Sequence, residues 1–278
     1  MKIKKISHFK CLLLAIVVLL SSGNVAFAKE KNSNVDFENQ LINSYEELME
    51  YAQSNNIPLD MSLETFLDEY KSSNYTKVSD YVKTYYNVLE VPPEYFDRRS
   101  GGGSKWYYNT GTSLPKQADY SSYKLLNNVR KGDVIYEANG GFGITGHAAI
   151  VEGKFYDSIQ KQYYIRIIEA IDVGVVRSVL DDERLADKDT YIFHVKEATE
   201  SNINNAVDFA KSQLGKGYSI DFAKDTSASE KDWYCSELVW AAYYNQGINI
   251  ETKGSYNEPG ITPRDIKNCS KLLIVPIK

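Results

Sequence analysis

The sequence predicts an α+β protein: a small, mostly antiparallel sheet packed by helices and preceded by a small helical module. Three observations predict it. From Val35 to about Leu89, apolar residues recur every three or four positions, the period of amphipathic helices. Past "RRSGGGS" (98–104) the rhythm changes to short β-branched and aromatic runs of the kind that form strands. Among and after those runs lie helical stretches with recognisable stops, so helices must pack on the sheet.

The elements follow in order. Lys2, Lys4, Lys5 and Lys10 precede the apolar run Cys11–Leu20, and Ala26-Phe27-Ala28 fits an A-x-A cleavage site. That pattern is a secretory signal peptide, residues 1–28, and implies a secreted or cell-surface protein. The apolar run is about half the roughly 20 residues a spanning helix needs. Cleavage would remove four lysines and no carboxylate, moving the formal charge from −5 to −9 and leaving 250 residues. A chain this acidic, without a basic run, argues against nucleic acid and against long polyanions held by charge alone. Residues 29–34 are polar and are expected to fray. Phe37, Leu41, Tyr45, Leu48 and Ala52 mark a first helix, ended by "NNIP". Asp60 or Ser62 can cap a second, carrying Leu63, Phe66, Leu67 and Tyr70; Val78, Tyr81, Val82, Tyr85 and Leu89 mark a third. These three helices form a module or pro-region over residues 29–97, and the glycines of 98–104 link it to a main domain, 105–278.

In that domain the strand candidates are residues 133–138, 147–153, 163–171, 175–180, 191–195 and 272–277. Ile203, Val207, Ala210 and Leu214 lie on one helical face stopped by Gly215, and a second helix covers "DWYCSELVWAAYYNQG" (232–247). In "ITPRDI", Thr262 is a cap and Pro263 a first helical residue.

If Asp232 caps its helix, Cys235 lies in the first turn, where unpaired N–H groups and the helix dipole favour a thiolate. Export removes Cys11 and His8, leaving Cys235 and Cys269, and His147 and His194. His194 lies inside the run "YIFHV" and reads as a packed or surface imidazole. His147 follows the loop "GGFGITG" and begins a strand, so it can project into an open site. If the strands at 147–153 and 163–171 form a hairpin turning at Asp157-Ser158, opposed residues have indices summing to about 316. His147 then faces Glu169, which could accept the Nδ1 proton and hold the imidazole in its working tautomer. A small shift of the turn would put Asp172 there instead. Other motifs fail. "GFGITG" at Gly141, Gly143 and Gly146 leads into a strand rather than a helix, so it cradles no phosphate and reads as a loop passing close to a substrate. No zinc-like ligand spacing and no G-x-S-x-G is present.

"KGDVIYEANGGFGITGHAAIVEG", "IIEAIDVGVVRSV", "DWYCSELVWAAYYNQGI" and "ITPRDI", in that order over residues 130–275, resemble the YiiX/YycO-like branch of the permuted papain-like hydrolases of the NlpC superfamily. In that branch the histidine strand precedes the cysteine helix. The resemblance implies a permuted papain-like fold, with Cys235 as nucleophile, His147 as base and Glu169 as the orienting residue. The helical module and Cys269 are not part of its pattern.

The expectation is therefore a secreted cysteine hydrolase, a peptidase or amidase, that cleaves an amide bond in cell-wall peptide such as peptidoglycan, with no metal or organic cofactor. Two rivals stand beside it. One is a lipid-directed thiol esterase or acyltransferase. The other is a non-catalytic binding module stapled by a Cys235–Cys269 disulfide.

Overall fold

The computed structural model describes residues 27–55, 59, 61–73, 75–89, 107–108, 114–138, 146–252 and 260–278. The expected linker at 98–104 and the glycine-rich loop at 139–145 lie outside these residues. The chain divides into two compact units, Met1–Asn43 and Ser44–Lys278. In the first, the described residues belong to helix α1 (Phe27–Ser54). Residues 29–34 are thus helical rather than frayed, and the physical reason is local: α1 contains neither glycine nor proline to break it.

In the second unit, helix α2 (Leu63–Ser72) is capped by the Ser62 hydroxyl, which accepts the Thr65 N–H, and α3 (Val78–Leu89) follows. Their shared core is aromatic: Phe66 lies 5.2 Å from Tyr81 and 5.5 Å from Tyr85, centroid to centroid. Both tyrosine hydroxyls donate to the buried Glu69 carboxylate. Glu69 also meets Lys224 at 2.6 Å, and Lys224 meets Glu251 at 2.8 Å. Burial opposes the Lys224 charge, yet the two carboxylates hold its pKa above the ordinary value. One buried lysine thus joins α2 to the segment that leads into the Cys235 helix.

The remaining elements are β1 (Tyr107–Tyr108), α4 (Leu125–Asn128), β2 (Val134–Glu137), β3 (His147–Asp157), β4 (Gln162–Ile171), β5 (Gly174–Leu180), α5 (Asp182–Lys188), β6 (Thr190–Val195), α6 (Glu200–Ser212), α7 (Cys235–Tyr244), α8 (Pro263–Lys267) and β7 (Leu272–Ile274). The strands form one antiparallel sheet in the order β1-β5-β4-β3-β2-β6-β7. All six strand candidates are present, and α8 begins at Pro263 with Thr262 and Asp265 in a capping box. Successive strand residues alternate between two covered faces. On one, Ala148, Ile150, Ile168 and Val175 pack with Val207 and Ala210 of α6 and Leu238, Val239 and Ala242 of α7. On the other, Ile135, Ala149, Val151, Ile165 and Ile167 pack with Leu125 of α4, Leu185 of α5 and Val275. Burial on both faces explains the nearly continuous apolar runs of β3 and β4.

Candidate active site

Cys235 is the first residue of α7. The cap is Tyr234, not Asp232: Tyr234 is extended (φ −96°, ψ 163°) and offers no side-chain cap, so the first-turn N–H groups are not taken by a capping side chain. Tyr234 is fixed instead by its hydroxyl, which donates to the Ala223 carbonyl and accepts the Ile261 N–H at 3.1 Å. A Cβ on Gly260 would come within 2.8 Å of that hydroxyl, and φ there is +65°, so glycine is required beside it. The neighbouring Ser236 hydroxyl donates to the Ile261 carbonyl at 2.5 Å. The start of the cysteine helix is thereby braced from two sides.

His147 opens β3, opposite Glu137 of β2. Gly146 before it has φ +84°, and a Cβ there would lie 2.8 Å from the Tyr136 ring. The imidazole is fully buried, and its Nε2 meets Glu169 at 2.7 Å. Two details of the expected pairing change. The hairpin pairs Ile150 with Ile168, an index sum of 318 rather than 316, and a β-bulge between Val151 and Gly153 moves the outer part by one more. His147 and Glu169 therefore meet on the diagonal. An error of two residues preserves the face on which a side chain lies, whereas an error of one would have reversed it. The nitrogen also differs: Nε2, not Nδ1, serves Glu169. Nδ1 makes no formed hydrogen bond among the described residues and is the nitrogen left to the thiol. Asp172, the other acidic candidate, is exposed in the turn between β4 and β5.

Glu169 is itself enclosed. Arg184 of α5 donates to both its oxygens, at 3.0 and 2.7 Å, and to Glu137 at 2.5 Å; the Ser178 hydroxyl also donates to Glu169. Glu137, His147, Glu169 and Ser178 occupy neighbouring strands on the face that α5 covers. The Asp181 cap, which accepts the Arg184 N–H at 3.0 Å, sets the start of that helix. Burial alone would raise the Glu169 pKa, but Arg184 first and then His147 hold it well below the usual carboxylate range. Burial likewise opposes a charged imidazole, yet the Cys235 thiolate and Glu169 push His147 up to about 10. For Cys235, burial is outweighed by His147, the Ala148 N–H and Ser236, and the thiol pKa is lowered. The arrangement favours a thiolate–imidazolium pair backed by an ionised carboxylate.

Cys235 and Cys269 are both free thiols, so the disulfide expected of a binding module is not formed. Burial raises the Cys269 pKa. His194 is partly buried and bonds Asp133 at 2.6 Å through Nδ1. Among the described residues no group of three His, Cys, Asp or Glu side chains is placed to hold a metal ion.

Residues 128–268 match the family model described as permuted papain-like amidase enzyme, YaeF/YiiX, C92 family. The chain belongs to that family. It is accordingly a cysteine-type hydrolase of the peptidase and amidase class with a permuted papain-like α+β fold. Among solved structures it is similar to one titled metalloprotein yiiX from Escherichia coli O157:H7, at 16% identity and a TM-score of 0.39, covering 54% of this chain and 98% of that one. No curated protein matches. In the amidase's chain order, histidine, glutamate and then cysteine, the residues singled out from sequence come together. Arg184, Glu137 and Ser178 were missed. The Asp181-Asp182-Glu183 opening of α5 was the available signal, an acidic helix start directly after a strand.

Proposed function

We propose that this amidase is exported and cleaves an amide bond in cell-wall peptide, with Cys235 as nucleophile, His147 as acid and base, and Glu169 as the group that orients His147. The observation that carries this reading is the Cys235 thiol at an uncapped helix start, lowered in pKa beside an imidazole that is raised. The thiolate attacks the substrate carbonyl carbon. The developing oxyanion is met by N–H groups at the start of α7, and His147 delivers the Nδ1 proton to the leaving amine. Water, deprotonated by the now neutral His147, then attacks the thioester, releasing the acid and regenerating the thiol. These steps call on no metal or cofactor.

Export is supported by the basic start, the apolar run and the A-x-A site at residues 26–28. No described helix is long and apolar enough to cross a membrane. Protein recovered from culture medium should begin at Lys29; a cell-associated chain still beginning at Met1 would overturn this part of the reading. The chemistry is tested by iodoacetamide. Cys235 should alkylate much faster than Cys269 near pH 7, and Cys235→Ala should abolish release of amines from peptidoglycan fragments while leaving Tm nearly unchanged. Equal alkylation rates would count against it. Turnover of a palmitoyl thioester without peptide hydrolysis would replace it with the lipid-directed reading.

Residues 29–97 are proposed as a helical module of this enzyme. The Glu69–Lys224–Glu251 contact supports a module that stays attached to the catalytic part rather than one that is discarded.

A further inference from the structure

We propose that the outer end of the β3–β4 hairpin is a mooring surface for an anionic lipid membrane. β2 pairs with β3 only as far as Ile150, and β5 pairs with β4 only from Ile165 onward. Residues 155–157 of β3 and 162–164 of β4, with the turn between them, therefore project past both neighbouring strands. The projection is about 10 Å on the rise of an antiparallel strand.

The two faces of this end differ. On one, Phe155 and Tyr164 pack with Leu114 and Val179. Asp157 on that face is buried and accepts the N–H groups of Leu114, Ile159 and Gln160, which fixes the turn. On the other, Tyr156 and Tyr163 stand directly across from one another, 56% and 61% exposed, and Ile159 in the turn is 69% exposed. A bare strand face ordinarily carries polar residues. The tyrosine pair helps to hold the hairpin together, but the isoleucine, with most of its surface in water, adds little to the fold.

Charge says what covers this face. Lys154 and Lys161 are exposed, and Asp157 is the one carboxylate in residues 153–163, turned to the covered face. Lys116 of the covering segment adds a cation, met by Glu183 at 3.0 Å. The chain's net charge of −5 does not cancel the local excess, because charges more than about 8 Å away are largely screened at physiological salt. The rings choose between a lipid and a sugar polymer. Their planes cross at 62° with centroids 5.1 Å apart, so they offer no common flat platform for stacked sugars. At a membrane the same groups all find partners. Tyrosine rings enter the acyl boundary with hydroxyls among headgroups, the isoleucine leaves water, and the lysines reach back to phosphates.

His147 begins β3 and the turn follows its end, so this surface lies roughly 30 Å along the strand from the cysteine site. A chain held by the hairpin keeps its catalytic end off the membrane, and the inference does not depend on the chemistry assigned to Cys235.

Co-sedimentation of the full chain with vesicles of phosphatidylcholine and phosphatidylglycerol tests this. Binding is expected, falling at least tenfold when phosphatidylglycerol is left out. Ile159→Asp should weaken it at least tenfold, and Lys154→Gln with Lys161→Gln should remove most of its dependence on phosphatidylglycerol. Tyr163→Trp should retain binding and show emission shifted to the blue when vesicles are added, against a parent whose emission stays put. Tm and the Cys235 alkylation rate should be unchanged in all of them. Absence of vesicle binding, or equal binding to phosphatidylcholine alone, would overturn the proposal. So would binding that the Ile159 and lysine variants leave unchanged, as attachment through the apolar run at 11–20 would be. Retention by insoluble glycan strands that Ile159→Asp abolishes, with vesicles ignored, would replace the lipid by a sugar polymer.

Discussion

Two histidines in this protein each meet a carboxylate, and only one of the two pairs has the makings of a catalytic centre. His194 bonds Asp133 at 2.6 Å and His147 bonds Glu169 at 2.7 Å, so hydrogen-bond length does not distinguish them. Surroundings do. The His194 side chain is 24% exposed, and Asp133 also accepts the Arg130 N–H, so that pair closes a surface turn. His147 and Glu169 are wholly buried, with a guanidinium behind the acid and a thiol in front of the base. A histidine–carboxylate contact is therefore a common structural fastening. A third charge and a nucleophile in a water-poor setting turn it into chemistry.

The strongest way to break this comparison is to delete each imidazole. His147→Ala should lower kcat/KM on a peptide amide by about 10³-fold or more, the scale of a lost acid and base that also activates its nucleophile. His194→Ala should stay within about twofold. Equal losses would show that the second pair takes part in the reaction, or that the first does not.

The next prediction concerns Arg184. A third buried acid shows what it supplies. Glu237, in α7, has no cation partner among the described residues, and burial together with Asp221 and Asp225 pushes its pKa up to about 9, whereas Glu169 is driven down. Arg184→Met should let Glu169 take up a proton. His147 would then lose part of its support and its pKa would fall; the Cys235 pKa would rise. Both limbs of the pH–rate profile should move inward, with activity at pH 7 reduced roughly tenfold or more. Arg184→Lys should restore part of the profile. A uniform loss of activity with an unmoved profile would mean that Arg184 only holds the fold, where breaking a buried ion pair costs about 3–5 kcal/mol.

What could be read in the sequence, and what could not, divides along the same line. Cys235 and His147 were legible because each sits at the end of an element: a helix start and a strand start reveal themselves by pattern. Glu169 was legible because strand parity survives an error of two. The order of partners within the site was less so. Asp232 resembled a cap, but Tyr234 holds that position through a hydroxyl bound to Ala223 and Ile261, contacts set by chain segments far apart in sequence. Apart from the acidic start of its helix, nothing in the sequence marked Arg184, for two reasons. Its helix is seven residues long with little apolar periodicity, and its partners, Glu137 and Glu169, lie 47 and 15 positions away. Long-range charge pairing leaves no period to detect.

Glu237 sharpens the comparison through stability rather than rate. Its folded pKa, about 9, lies above that of an unfolded glutamate, about 4.3. The folded state therefore holds a proton that the unfolded state releases. The stability this group contributes is complete below about pH 4 and declines as pH rises toward 9. Glu237→Gln keeps the shape and an acceptor for the Asp225 N–H, now 2.9 Å from the carboxylate, and removes the ionisation. The variant should melt higher than the parent at pH 8, with the difference shrinking as pH falls to 5. A difference independent of pH would show that the carboxyl is not held neutral.

The smallest effect is expected at the surface pair itself. Asp133 accepts from Arg130 at 2.7 Å as well as meeting His194, and burial raises its pKa against the pull of those partners. His194→Gln removes an imidazole contact but leaves an amide able to donate to Asp133, and the turn hydrogen bond from Arg130 persists. The loss in unfolding free energy should be about 1 kcal/mol, near the net worth of one hydrogen bond, with the Cys235 alkylation rate unchanged. Asp133→Ala should cost more than His194→Gln, because it strands the Arg130 N–H along with the imidazole. If instead His194→Gln slowed alkylation of Cys235, the two histidine regions would be coupled through β2 and β6, and the separation between fastening and chemistry would fail.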